Sequence, residues 1–315
     1  MLAPIVHRTP CKQSKTLNDI TGSEVSLKLE NLQRTGSFKV RGAFNKVSQL
    51  SIEECQRGII AASAGNHAQG VALAGREKGV PVTIFMPEDT PEAKVVATRQ
   101  YGATVRLAGK NFDEAYAAAK KEQLFTGAAF VHPFDDLAVI EGQATVAMEM
   151  MQQCPDLDTI VVPAGGGGLL AGTAIAVKLL RPSIRVIGVQ ARAASAIASI
   201  FHGTQNSTLP FLPTMAEGIK VKEPGKLTTK IIQAYVDDVI TVSEQEIASA
   251  ILFMLEREKM LVEGAGAASV AAVLHHHLPF HSSNTGIIVS GGNFDIGKLS
   301  ACKQTATAIS TASSF

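Results

Sequence analysis

Long apolar runs are missing from this chain: no segment approaches the ~18 uninterrupted apolar residues of a membrane-spanning helix, so no membrane partner is expected. The N-terminus, Met1-Leu2-Ala3-Pro4-Ile5-Val6-His7-Arg8, lacks the basic region and long apolar stretch of a secretory leader, which points to a cytoplasmic protein. Cysteine is sparse. Cys11, Cys55, Cys154 and Cys302 lie far apart along the chain without C-x-x-C spacing, which suggests neither a zinc knuckle nor a disulfide framework and leaves reduced, structural thiols. An excess of one charge is absent too: 29 Lys+Arg against 28 Asp+Glu give a formal net charge of +1, with acids and bases interspersed. Nucleic acid therefore has no basic field to bind.

What is present suits an α/β protein. The 315 residues, 46% hydrophobic and 18% charged, can bury one or two sizeable cores, and two lobes are expected. Glu24 to Glu30 alternates apolar and polar residues as a half-buried strand does, and Arg41 to Leu50 reads as a helix. From Gly58 short apolar runs alternate with helical ones, which predicts a parallel sheet covered by helices, of about four strands over 57–133. A second series of the same kind runs from Leu137 to Ser290, and includes a capping box at Ser243-Glu244-Gln245-Glu246. The expected division is a large domain of 1–56 and 134–315 and a small one of 57–133. The Ser/Thr/Ala-rich tail reads as mobile.

Four segments carry chemistry. In Thr35-Gly36-Ser37-Phe38-Lys39-Val40-Arg41-Gly42-Ala43 one lysine stands among apolar neighbours. Desolvation lowers such an amine's pKa and frees it for a Schiff base, although an amphipathic segment whose lysine reaches water has the same pattern. The run Pro163-Ala164-Gly165-Gly166-Gly167-Gly168 follows a strand and opens a helix, as a phosphate-binding loop or a merely tight turn would. A dinucleotide would need an acid at the end of the next strand, which here reads Val189-Gln190-Ala191, and no Gly-Lys-Ser/Thr follows for a nucleotide P-loop. Ser63-Ala64-Gly65-Asn66-His67 sits at a similar strand-to-helix turn, suited to a carboxylate or simply to capping. Ser290-Gly291-Gly292-Asn293 ends the last strand and puts a hydroxyl at the crevice of the sheet, or forms a plain turn. His275, His276 and His277, with His281 nearby, invite a metal reading, but consecutive histidines on a helix point about 100° apart and no carboxylate or cysteine is near in sequence, which favours a polar helix end.

Together these four segments resemble the fold-type II pyridoxal-phosphate enzymes, a two-domain α/β fold like that of the tryptophan synthase β chain, and within them the serine/threonine dehydratase family, which includes serine racemase. The resemblance runs from about Glu24 to Asp295. It implies pyridoxal 5'-phosphate as cofactor, bound through a Schiff base to Lys39, with Phe38 packed on its ring. It further implies Asn66 at the 3-hydroxyl, Gly165, Gly166, Gly167 and Gly168 at the phosphate, and Ser290 at the pyridine nitrogen. Ser63, Ala64, Gly65, Asn66 and His67 would hold the carboxylate of an amino-acid substrate, and Lys39 would take its α-proton.

Within the family, racemases resemble one another in a second serine where this chain has Ala64, and the eukaryotic ones in a metal site whose positions here are Gln190, Ala194 and Ala196. Both differences imply a dehydratase with no metal. His132-Pro133-Phe134-Asp135-Asp136, Ala216-Glu217-Gly218 and Glu263-Gly264-Ala265-Gly266 are similar to threonine dehydratase, which implies threonine as main substrate and serine as secondary one. A short form without a C-terminal regulatory domain, assembled as a homodimer or homotetramer, is expected. The alternatives are a racemase with side dehydratase activity, a non-catalytic sensor on the same fold, and a dinucleotide oxidoreductase.

Overall fold

The computed structural model describes residues 5–204 and 213–312; residues 1–4 of the leader reading and 313–315 of the tail lie outside them. Ahead of the first strand read from the sequence, the chain forms β1 (Cys11–Gln13) and α1 (Lys15–Thr21), the latter capped by Ser14. Then come β2 (Glu24–Leu29), α2 (Lys39–Ser48) and α3 (Ile52–Arg57). The alternation predicted from Gly58 follows as β3 (Ile59–Ala62), α4 (Asn66–Lys78), β4 (Val82–Met86), α5 (Glu92–Gln100), β5 (Thr104–Leu107), α6 (Phe112–Thr126) and β6 (Ala129–Phe130). The second series comprises α7 (Leu137–Gln153), β7 (Thr159–Pro163), α8 (Gly168–Leu180), β8 (Arg185–Ala191), α9 (Ala196–Phe201) and α10 (Lys226–Tyr235). It closes with β9 (Asp238–Val242), α11 (Glu244–Glu256), α12 (Gly264–Leu274), β10 (Asn284–Val289) and α13 (Leu299–Ala312).

The strands form two sheets, one of six in the order β1-β2-β10-β7-β8-β9 and one of four in the order β5-β4-β3-β6. All neighbours are parallel except β1, which runs antiparallel to β2. Parallel strands send their carboxyl ends the same way. The loops after β2, β7 and β10 in one sheet, and after β3 and β6 in the other, carry the segments singled out above, and such loops are where open α/β sheets bind ligands.

Two packing features fix the lysine-bearing helix α2. A methyl group on Gly142 of α7 would lie 2.5 Å from the Arg41 carbonyl oxygen, so α7 and α2 touch backbone to backbone. Arg41 itself is fully buried. It donates to Glu30 from Nε and Nη2, both at 2.8 Å, and to Glu149 from Nη1 at 2.8 Å and Nη2 at 2.9 Å. Lys28 joins the same cluster, its Nζ 2.7 Å from Glu149. The start of α2 is thereby tied to the end of β2 and to α7.

The capping box at Ser243 and Glu246 is present and opens α11. Helix α13 lies against α11, and Cys302 is buried with its thiol 3.5 Å from the Ala248 carbonyl oxygen. Among the described residues no helix is long and apolar enough to cross a membrane.

Candidate active site

Lys39 is the first residue of α2, and the segment before it is stitched to the loop after β10. Ser37 bridges Gly291, the Phe38 N–H donates to the Ser290 carbonyl at 3.1 Å, and the Gly292 N–H donates to Gly36 at 2.9 Å. These backbone bonds hold Lys39 over the crevice. Its side chain keeps some exposed surface, but protein atoms crowd the amine, which donates to the Pro133 carbonyl oxygen at 2.9 Å. Burial pulls its pKa down to about 8, against a smaller upward pull from Glu263. The Phe38 ring centroid is 5.3 Å from the same nitrogen.

Ser290 is 3% exposed at the end of β10, and its hydroxyl makes no hydrogen bond among the described residues. Ser37 Oγ and His67 Nδ1 are buried without partners. Such groups carry a cost unless a ligand or water meets them.

Across the crevice, Ser63, Ala64, Gly65 and Asn66 are half-buried where β3 turns into α4, and a methyl group on Gly65 would meet no atom within 4 Å. The turn faces open space. His67 is different: its Nε2 lies 2.9 Å from the Val131 carbonyl oxygen, directed away from the turn, and burial drives its pKa down to about 3. Only its backbone N–H can serve a carboxylate at this turn.

Asn66 stands in a chain of side chains. Its Nδ2 donates to Glu263 Oε1 at 2.6 Å, and its Oδ1 accepts from Asn293 Nδ2 at 2.8 Å, which also donates to the Thr35 carbonyl at 2.8 Å. Burial raises the Glu263 pKa to about 7, opposed by the Asn66 hydrogen bond. The amide is fixed in orientation and keeps one N–H of its NH2 group for a ligand.

The glycine loop fits a phosphate. A methyl group on Gly166 would lie 2.2 Å from the Phe134 ring, and one on Gly168 3.0 Å from the Phe134 Cα, so the absence of side chains lets neighbouring segments close down on the loop. Thr228 Oγ1 braces it by donating to the Gly166 carbonyl at 2.7 Å. The N–H groups of Gly165, Gly166 and Gly167 enter no hydrogen bond among the described residues, and the N-terminus of α8 stands behind them. Unpaired amides at a helix start are what an anion requires. Gln190 donates to the Ala164 carbonyl at 3.2 Å and accepts from the Ala198 N–H at 2.9 Å.

Two participants have no role in a reading of the motifs alone. Pro133, whose carbonyl holds Lys39, belongs to a hub in which Phe134 covers the glycine loop and Asp135 Oδ1 accepts from the N–H groups of Leu227 and Thr228 at 2.9 and 3.1 Å, capping α10. Asp136 caps α7, accepting from Ala138 at 2.9 Å. Glu263 is the other. The segment Glu263-Gly264-Ala265-Gly266 bears in sequence only on the resemblance to threonine dehydratase, and it is the fold that places Glu263 on Asn66.

The family model for pyridoxal-phosphate dependent enzymes matches residues 2–291. The chain belongs to that family. Its cofactor is therefore pyridoxal phosphate, consistent with a lysine amine whose pKa is lowered by burial and a glycine loop whose N–H groups are unpaired among the described residues. The chain is 51% identical to the L-threonine ammonia-lyase of Thermotoga maritima over 95% of its own length and 74% of the relative's. Among solved structures, the processed form of threonine deaminase isoform 2 from Solanum lycopersicum superposes with a TM-score of 0.92 at 35% identity, covering 98% of this chain and 85% of that one. Maize serine racemase gives 0.90 at 36% identity, covering 98% and 95%. The fold is thus the fold-type II architecture, shared by lyases and racemases alike.

Proposed function

We propose that the protein deaminates L-threonine to 2-oxobutanoate and ammonia, and L-serine to pyruvate as a secondary reaction. The observation that carries this reading is the Lys39 amine, lowered in pKa by burial and held by the Pro133 carbonyl, which joins the loops after β2 and β6. The 51% identity to an L-threonine ammonia-lyase supports threonine as substrate, and Ala64, which has no exchangeable proton, supports elimination over racemisation.

When bound, pyridoxal phosphate supplies an aldehyde that condenses with amines and a conjugated ring that withdraws electrons from the α-carbon of an amino acid. Gly165 to Gly168 and the start of α8 would hold its phosphate, Phe38 would pack on its ring, and Asn66 and Ser290 would bond its polar edge. A serine hydroxyl, unlike a carboxylate, leaves a ring nitrogen unprotonated, which suits prompt loss of a β-hydroxyl. The turn Ser63 to His67 would orient the substrate carboxylate through its backbone N–H groups and the half-buried Ser63 hydroxyl. Lys39, depressed toward neutrality by burial, would accept the α-proton at Nζ when displaced from the cofactor. Loss of the α-proton and the β-hydroxyl removes one water, and hydrolysis adds one back, so threonine leaves as a 2-oxo acid and ammonia.

Residues 57–133, which supply β3 to β6, would form the small domain, and 1–56 with 134–315 the large one, a division that the two separate sheets support. A homodimer or homotetramer and a cytoplasmic location are proposed from the family resemblance and the sequence. Incubation with L-threonine or L-serine, with 2-oxo acid, ammonia and the chirality of residual amino acid all followed, tests the reaction. Expected are 2-oxobutanoate from threonine, a lower kcat/KM for serine, and no D-isomer. Accumulation of D-amino acid would favour a racemase, and absence of any 2-oxo acid would reject the lyase.

A further inference from the structure

Cys11 and Cys154 are 143 residues apart in sequence, yet their sulfurs lie 2.8 Å apart, against about 2.05 Å in a disulfide bond. Cys11 opens the edge strand β1 and Cys154 terminates α7, so the two thiols meet where the start of the large sheet abuts a helix end. Both keep exposed surface. Cys11 pairs across the ladder with Lys28, whose buried ammonium is held by Glu149 at 2.7 Å, Gln153 at 2.9 Å and the Thr9 carbonyl at 2.7 Å. That network fixes β1 against the last turn of α7, so the thiols are held together rather than meeting by fluctuation. The other two cysteines have no thiol partner: Cys55 faces the Leu50 carbonyl and Cys302 the Ala248 carbonyl.

We propose that Cys11 and Cys154 form a reversible dithiol–disulfide site that reacts with low-molecular-weight disulfides. The hydrogen bond between the two sulfurs, followed by Ser26 and the Lys28 charge, favours the thiolate on Cys154, and the same hydrogen bond keeps the proton on Cys11. The Cys154 thiolate attacks one sulfur of the small disulfide, forming a mixed disulfide and expelling a thiolate that takes a proton. Cys11 then attacks the Cys154 sulfur, gives up its proton, and expels the second small thiol. The dithiol loses two protons and two electrons in all, and the small disulfide is reduced to two thiols. The bond formed ties β1 to α7 across 143 residues, which restricts the unfolded chain.

The test exposes the full-length protein to oxidised glutathione, blocks remaining thiols with N-ethylmaleimide, and maps peptides by mass spectrometry, with thermal unfolding measured in parallel. Expected is a linked peptide pair carrying Cys11 and Cys154, with Cys55 and Cys302 blocked as free thiols. Tm should rise by roughly 5 °C and return on reduction. Cys11→Ser should stop at a glutathione adduct on Cys154, and Cys154→Ser should leave Cys11 modified at least about tenfold more slowly. Adducts spread evenly over the four cysteines without a linked pair, or a link formed only after denaturation, would overturn the proposal. The outcome is independent of the deaminase reading.

Discussion

The Lys39 amine donates to the Pro133 carbonyl oxygen at 2.9 Å, which holds the reactive nitrogen of α2 against the loop after β6. A carbonyl accepts from an amine whether or not it is protonated, so this bond positions Lys39 without fixing its charge. Burial then decides, and lowers the pKa to about 8. Only the neutral amine adds to an aldehyde, so the rate at which apoenzyme takes up pyridoxal phosphate should climb with pH and level off above about 8. An exposed lysine would give a rise continuing past pH 10. Stopped-flow absorbance of reconstitution checks this.

Glu263 makes stability depend on pH in a different window. Its folded pKa is raised from 4.5 to about 7, so between those values the folded state binds more protons than the unfolded one. Stability from this group therefore declines as pH rises from 4.5 to 7, by at most about 3 kcal/mol. Glu263→Gln should remove that decline while keeping a hydrogen-bond partner for Asn66. Urea midpoints of the two proteins at pH 5 and pH 7 give the comparison.

Arg41, itself fully buried, faces two carboxylates. Arg41→Met leaves Glu30, fully buried, and Glu149, partly buried, without their shared cation. A loss of about 3–5 kcal/mol is expected in chemical denaturation, partly relieved when Glu30→Gln is added.

Gly166→Ala should weaken pyridoxal-phosphate binding by about tenfold or more, because the new methyl group lies 2.2 Å from the Phe134 ring. Phe134→Ala in the same chain removes the obstruction and should recover part of the affinity. Equal losses in the single and double variants would mean that the methyl group acts on the phosphate itself rather than through Phe134.

Local pattern made much of this molecule legible. Strand-helix alternation marked the sheets, and the turn residues Ser63 to His67, Gly165 to Gly168 and Ser290 to Asn293 fell at strand ends, where crevice loops belong. What stayed hidden depends on long-range contact. Pro133 acts through a backbone carbonyl, which no side-chain motif announces. Glu263 meets Asn66 across 197 residues, and Cys11 meets Cys154 across 143. Helix α12 is buried on every side and rich in alanine and glycine, so it lacks the amphipathic period that identifies helices.

The central assignment is Lys39 as the residue that carries the cofactor. Borohydride reduction of the holoenzyme, which fixes the cofactor covalently to its lysine, followed by peptide mapping tests it directly. The label is expected on the peptide containing Lys39, and Lys39→Ala should lack both the label and 2-oxobutanoate release. A label on any other lysine, or full deaminase activity in Lys39→Ala, would contradict the assignment and the site built around it.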